Sequence, residues 1–203
     1  MKTKVTVFET VNAVDFWETD GDYLKKYEND NRKCGVYFFL YHSSSIPYYI
    51  GTSYNMFSRL NDHISSYKGK GYYVPKHPEK LSSLSCFLED STPDTFYARR
   101  YNNFDEYFDN TVKRLLEHTQ ILFSHVEAED SHFHEDMRKL AYDAEIRLYT
   151  NLVERMGIKP GWVGDGGRKK DISNCWGIYD ELELNIEYDP KITVQKMNTK
   201  LLV

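Results

Sequence analysis

Residues 35–64 hold two short aromatic runs and then a helical repeat, and this order most restricts how the chain can fold. The first run, residues 35–41, begins with a glycine and continues with valine, leucine and aromatic residues, a composition that favours a strand. A polar segment ending at Pro47 predicts a turn before the second run, residues 48–51. The two runs are therefore expected to pair as an antiparallel hairpin.

A helix is expected directly after this hairpin. Apolar side chains recur every four residues at Met56, Leu60 and Ile64, so they would share one helix face. Either Ser53 or Asn55 could cap the first turn with a side-chain oxygen. The segment thus predicts two paired strands and a helix that follows them without a long loop.

Patterns elsewhere in the chain predict further strands. Residues 1–33 are expected to form a short strand followed by a helix. Strands are also predicted over residues 84–88 and 95–101, where apolar and aromatic residues cluster. Residues 182–188 alternate between apolar and polar side chains, which predicts one more strand near the end of the chain.

Two longer segments have helical periodicity. Apolar stripes predict helices over residues 104–124 and over residues 133–155. Together with the strands, they predict an α+β fold, in which helices flank a small central antiparallel sheet. The hairpin strands are expected at the centre of that sheet, and a length of 203 residues suits a single domain.

Composition limits the setting in which the protein works. A net charge of −5 disfavours a protein that simply coats nucleic acid, but it allows a local basic groove. The three cysteines, Cys34, Cys86 and Cys175, match no metal-binding spacing and are expected to be free thiols. Because no signal peptide or membrane-spanning segment is visible, we expect a cytoplasmic protein with no membrane partner.

Two side chains on the predicted helix could bind one phosphate together. Arg59 and His63 are four residues apart, so they would share a helix face. Arginine offers a permanent planar cation whose donors match phosphate oxygens. Histidine could assist proton transfer or hydrogen-bond the water or the phosphate. The alternative is an ordinary surface arginine with a solvated histidine.

A carboxylate on the second long helix is a candidate metal ligand. Glu145 lies at the edge of the apolar stripe between Ala141 and Leu148, where a carboxylate is costly unless it meets a cation. One carboxylate completed by waters and substrate oxygens suits Mg²⁺ or Mn²⁺. Glu154 is the rival for this role, and a surface ion pair with Arg147 is the alternative explanation.

The combination of these residues resembles the signature of the GIY-YIG nuclease superfamily. Residues 35–37 read Gly-Val-Tyr, with valine in place of isoleucine, and residues 49–51 read Tyr-Ile-Gly. Arg59 and His63 follow at the distances found in that pattern. Glu145 is the best candidate for the glutamate that the family carries on a later helix.

The resemblance implies a metal-dependent endonuclease that hydrolyses DNA and leaves a 5′-phosphate and a 3′-hydroxyl. It implies that Tyr37 contacts the attacking water, Tyr49 supports the scissile phosphate, Arg59 binds its oxygens and Glu145 holds the metal. With His63 one turn after Arg59, the chain looks most like the restriction-endonuclease branch. The expected partner is double-stranded DNA, bound by a monomer or a homodimer.

The resemblance also implies a division of the chain into three segments, and the sequence departs from the family pattern at one point. It implies an N-terminal addition over residues 1–33, a nuclease core with a helical insert over residues 34–160, and a C-terminal extension over residues 161–203. The family often has an asparagine near a Lys-Pro pair after the glutamate helix. No asparagine is adjacent to Lys159-Pro160 here, and neither Asn151 nor Asn174 clearly takes its place.

Basic residues near tyrosines and glycines predict a nucleic-acid-binding rim in two loops. The residues expected to contact nucleic acid are Lys68, Lys70, Arg168, Lys169 and Lys170. Ordinary solvated loops are the alternative. Two other functions stay open for the whole chain: a nucleic-acid-binding module that does not cut, and a protein-interaction protein, which the acidic composition would suit.

Overall fold

The computed structural model describes residues 1–18, 29, 31–42, 44–69, 74–75, 78–82, 97–98, 105–129, 136–157, 175–194 and 196–203. Its strands are β1 (Lys2–Asn12), β2 (Gly35–Tyr41), β3 (Pro47–Ser53), β4 (Val74–Pro75), β5 (Tyr97–Ala98), β6 (Thr119–Ala128) and β7 (Glu183–Tyr188). Its α-helices are α1 (Ala13–Glu18), α2 (Met56–Lys68), α3 (Asp105–Glu117) and α4 (Met137–Met156). The predicted strand at residues 84–88 lies outside the described residues.

Five strands form one sheet in the order β3-β2-β6-β1-β7, and helices pack against it, so the α+β class is confirmed. Neighbouring strands are antiparallel except for β1 and β7, which are parallel and make the sheet mixed. Strands β4 and β5 pair separately as a small antiparallel ribbon. Strand β1 pairs on both sides, so the N-terminal strand is an integral part of the main sheet.

The predicted hairpin is confirmed, but its expected place at the centre of the sheet is wrong. Strands β2 and β3 pair antiparallel, and Tyr37 lies opposite Gly51. Strand β3 is at the edge of the sheet, while β6 occupies the middle. Gly35 permits the close approach of β2 to β6, because a Cβ there would lie 2.0 Å from the carbonyl oxygen of Ser124.

The prediction of one helix over residues 104–124 is wrong. Helix α3 ends at Glu117, and residues from Thr119 onward form β6, the central strand. The hydroxyl of Thr119 donates to the carbonyl oxygen of Leu115 where the chain leaves the helix. Because β6 is buried on both faces, its apolar residues are consecutive rather than alternating, and such a run does not by itself distinguish strand from helix.

The helix after the hairpin is confirmed as α2. Asn55 is its cap, since its side chain accepts a hydrogen bond from the backbone N–H of Ser58 at 3.1 Å. The predicted apolar face, Met56, Leu60 and Ile64, is buried. Helix α4 confirms the second long helix, and it ends at Gly157, whose φ of 64° is left-handed and suits glycine.

Strand β1 is longer than the short strand expected at the N-terminus, and the helix that follows it has only six residues. Strand β7 confirms the strand predicted near the end of the chain. Every residue of β2 is buried, so both faces of this strand are covered. None of the helices in the described part of the chain is long and apolar enough to cross a membrane.

Candidate active site

A cleft of about 340 Å³ opens where β2, β3, α2 and α4 meet. Four of the five predicted catalytic side chains line it, although they come from four different elements. Strand β2 supplies Tyr37, β3 supplies Tyr49, α2 supplies Arg59 and α4 supplies Glu145. The full lining is Tyr37, Tyr49, Gly51, Thr52, Ser53, Tyr54, Arg59, Arg138, Tyr142 and Glu145.

The fifth predicted residue, His63, lies beneath the cleft rather than on its wall. Its side chain is buried, and its Nε2 lies 2.8 Å from the hydroxyl of Tyr37. The rings of Phe39 and Tyr49 lie 5.3 Å and 5.2 Å from the His63 ring, centroid to centroid. His63 can therefore act on the contents of the cleft only through its neighbours, and Tyr37 is a neighbour that is hydrogen-bonded to it.

Burial keeps both partners of this hydrogen bond neutral. Burial, together with the nearby cation of Arg59, lowers the pKa of His63 to about 3. It raises the pKa of Tyr37 above its ordinary value, against the opposing influence of Arg59. At neutral pH the pair is thus a phenol bonded to a neutral imidazole, with one proton between the two heavy atoms.

Gly51 creates the space that the aromatic side chains need. A Cβ at this position would lie 2.5 Å from Cζ of Tyr37, 2.6 Å from its hydroxyl oxygen and 2.8 Å from Cε1 of Tyr49. The Tyr37 ring therefore lies over a residue without a side chain on the neighbouring strand. The effect of Gly51 is therefore to admit these two rings.

Arg59 projects from the first turns of α2 into the cleft. Its guanidinium lies 3.6 Å from the carboxylate of Asp62, and both side chains are well exposed to solvent. An exposed pair at this distance contributes little, on the order of 0.5 kcal/mol, so it does not prevent Arg59 from binding an anion. Arg59 thus lines the cleft and also forms a surface ion pair.

Glu145 is the carboxylate of the cleft, and its side chain is only 4% exposed. The rival, Glu154, is exposed and does not line the cleft. The described residues contain no cluster of three or more histidines, cysteines or carboxylates that could enclose a metal ion. A single buried carboxylate with room for waters and substrate oxygens is a donor set that fits Mg²⁺ or Mn²⁺.

Two cleft residues on α4 were not predicted from the sequence. Arg138 and Tyr142 lie seven and three positions before Glu145, a spacing that puts all three on one helix face. The guanidinium of Arg138 lies 5.8 Å from the centroid of the Tyr142 ring, and its side chain is exposed. This helical spacing is the signal that could have identified both residues once Glu145 was chosen.

The predicted basic rim is only partly within the described residues. Lys68 is exposed in the last turn of α2 but does not line the cleft. The other predicted contacts, Lys70, Arg168, Lys169 and Lys170, lie outside the described residues. Asn151, one candidate for the missing family asparagine, is buried away from the cleft and donates to the carbonyl oxygen of Leu202 at 2.9 Å.

The fold and the cleft define the class of the protein as an α+β chain with an arginine-, tyrosine- and glutamate-lined site. Comparisons of this chain with protein-family models, with curated proteins and with solved structures give no match.

Proposed function

We propose that the protein is a metal-dependent endonuclease of the GIY-YIG type that hydrolyses DNA phosphodiester bonds. The main support is the convergence of Tyr37, Tyr49, Arg59 and Glu145 on one cleft from four separate elements. Hydrolysis of a phosphodiester needs positive charge at the phosphoryl oxygens, a route for the water's proton and help for the departing oxygen. The cleft has a candidate for each need.

Arginines bind the substrate in this proposal. Arg59 binds the non-bridging oxygens of the scissile phosphate, and Arg138 adds a second cation on the opposite helix. Tyr49 supports the phosphate with its hydroxyl. Two guanidinium groups can hold a phosphodiester in a fixed orientation, which is most of what a protein contributes to phosphoryl transfer.

The hydrogen bond between Tyr37 and His63 gives the water's proton a path out of the cleft. Tyr37 accepts a proton from the attacking water while its own hydroxyl proton passes to Nε2 of His63, 2.8 Å away. The Arg59 cation lowers the pKa of His63 in the free protein. A bound phosphate would offset that cation, so substrate binding itself would make His63 a better acceptor.

Glu145 would hold the metal ion, with waters and phosphate oxygens completing its coordination. A bound Mg²⁺ supplies charge stabilisation for the departing oxygen. Double-stranded DNA, a cytoplasmic setting and a restriction-type role are parts of the same proposal, as is a monomer or a homodimer.

Cleavage of supercoiled plasmid in Mg²⁺ tests the proposal. We expect wild type to produce nicked or linear DNA with 5′-phosphate ends, and EDTA to stop the reaction. Glu145→Ala should lower the rate by on the order of 10²–10³-fold or more. Glu154→Ala is the matched control, since it removes an exposed carboxylate of the same helix outside the cleft. No cutting by wild type, or equal cutting by Glu145→Ala, would refute the proposal.

A nucleic-acid-binding module that does not cut is the second candidate. The observation that favours it is the burial of Tyr37 and His63, which leaves neither side chain ionised in the free protein at neutral pH. Wild type that retains DNA but yields no product in either Mg²⁺ or Mn²⁺ would establish this alternative.

A further inference from the structure

Tyr54 is exposed at the mouth of the cleft. Its side chain is 63% exposed, and it is the one large hydrophobic residue that is exposed in the described part of the chain. The other three tyrosines of the cleft are buried or partly buried. A single exposed aromatic residue is ordinary on a protein surface, so its surroundings must carry the argument.

Hydrogen bonds hold the backbone on either side of Tyr54. The hydroxyl of Ser53 donates to the carbonyl oxygen of Asn55 at 3.0 Å and accepts from its N–H at 3.1 Å. The side chain of Asn55 then caps α2 through the N–H of Ser58. Tyr54 is thus held in a short, fixed turn between β3 and α2.

This turn joins the elements that carry two of the candidate phosphate-binding side chains. Tyr49 precedes it on β3, and Arg59 follows it on α2, while Arg138 lines the same cleft from α4. A strand whose phosphate lies against Arg59 would bring the adjacent sugar and base to the mouth of the cleft. An exposed aromatic ring at that point offers a flat surface to a base of any identity.

Base pairing in the nucleic acid determines which bases can stack on an exposed ring. In an intact duplex both faces of each base are covered by its stacked neighbours, so a protein ring reaches a base face only after the base is unstacked. An unpaired nucleotide is already available, whether it lies in a single strand or projects from a duplex. The ring of Tyr54 therefore favours nucleic acid with an unpaired nucleotide beside the bound phosphate.

We propose that Tyr54 is a stacking surface for an unpaired nucleobase next to the phosphate held in the cleft, and that it strengthens the binding of DNA containing such a nucleotide. This inference rests on the proposed assignment of the cleft to a nucleic-acid strand, but not on cleavage of that strand.

Binding in EDTA tests the inference without turnover. Fluorescence anisotropy would compare three labelled DNAs: a single strand, a blunt-ended duplex closed at both ends by G·C pairs, and the same duplex with one unpaired nucleotide at its middle. Tyr54→Ala should bind unpaired DNA about tenfold more weakly. Its affinity for the fully paired duplex should change less than about twofold, because every base there is paired and stacked. Tyr54→Phe, which keeps the ring, should restore most of the affinity.

The matched control is Tyr179→Ala, which removes a partly exposed tyrosine outside the cleft. A second measurement places 2-aminopurine at the unpaired position. Its fluorescence should be quenched by wild type and by Tyr54→Phe, but not by Tyr54→Ala. A response confined to the single strand or to the bulged duplex would identify the form in which the unpaired nucleotide is bound.

Equal weakening on all three DNAs, no weakening on unpaired DNA, or no DNA binding by wild type would overturn the inference. Its failure is distinguishable from failure of the proposed nuclease. Wild type that binds and quenches through Tyr54 but never cuts would refute the nuclease alone. Wild type that cuts, while Tyr54→Ala binds unpaired DNA as tightly as wild type does, would refute the stacking surface alone.

Discussion

The hydroxyl of Tyr37 lies 2.8 Å from Nε2 of His63, and this buried contact connects strand β2 to helix α2 beneath the candidate active site. Both side chains are almost completely buried. Protonation of His63 would place a cation in that buried position close to Arg59, so the contact should make the fold sensitive to acid.

We predict that the buried His63 makes the free energy of unfolding decrease as the pH falls. Its folded pKa is about 3, compared with 6.5 as the ordinary value. The unfolded chain therefore binds a proton that the folded chain does not, and the contribution of His63 is fully present above pH 6.5 and decreases as the pH falls towards 3. The expected loss is about 2 kcal/mol at pH 5 relative to pH 7, measured by urea unfolding.

His63→Gln provides the comparison for this prediction, because it removes the titrating group at the same position. Between pH 7 and pH 5, the free energy of unfolding should fall by about 2 kcal/mol less in the variant than in wild type. His125, whose pKa is also lowered by burial, is present in both proteins and cancels in the difference. Parallel pH dependences for the two proteins would contradict the prediction.

Gly51→Ala should destabilise the fold by roughly 1–3 kcal/mol and reduce cleavage. The added methyl group would lie 2.5 Å from Cζ of Tyr37, so the ring or the strand must shift. Thermal unfolding and plasmid cleavage would measure the two effects. Gly69→Ala is the control. A Cβ at Gly69 would come no closer than 3.2 Å to another residue, at the carbonyl oxygen of Ser65, and the φ of −78° suits alanine. Equal stability of the two variants would refute the steric explanation.

Arg138→Gln should weaken DNA binding and make it less dependent on salt. If Arg138 contacts one phosphate, its loss should reduce the slope of log K against log salt concentration by about 1. Anisotropy titrations in EDTA at several salt concentrations would measure this slope. Lys139→Gln removes a neighbouring positive charge that does not line the cleft, and it should leave the slope unchanged. An equal change in both variants would indicate a general charge effect instead.

Asn151→Ala should cost about 1–3 kcal/mol of stability, because it leaves the carbonyl oxygen of Leu202 without its buried donor. Chemical denaturation would measure the cost. Asn185→Ala, at an exposed asparagine, should stay within about 0.5 kcal/mol of wild type. Below the unfolding transition, the cleavage rate of Asn151→Ala should match wild type. A stable Asn151→Ala variant that cannot cut would instead identify Asn151 as part of the active site.

Local patterns predicted the hairpin and helix α2 well, because each depends on neighbours within a few residues. The β-branched and aromatic run of β2 and the four-residue repeat of α2 leave little choice of secondary structure. The choice between Ser53 and Asn55 as the helix cap needed coordinates, since both have a suitable oxygen. Both residues contribute: Asn55 caps α2, and Ser53 holds the preceding turn.

Strand β6 shows where local patterns fail. Its apolar residues are consecutive because β1 and β2 flank it and both of its faces are covered, so no period of two remains. The preceding helix α3 extends the apolar stripe into it and conceals the boundary at His118. The same strand explains why β3 lies at the edge of the sheet: β6 pairs with the free side of β2, so the hairpin is not central.

The sequence by itself identified the candidate side chains: Arg59 and Glu145 from residue type and spacing, and Tyr37 and Tyr49 from the resemblance to the GIY-YIG signature. Only the tertiary structure decided that they meet in one cleft, that His63 lies beneath it, and that Arg138 and Tyr54 belong to it. The physical reason is that periodicity reports which face of its own element a residue occupies. Which faces meet is decided by burial of the whole core, through contacts between residues far apart in the chain.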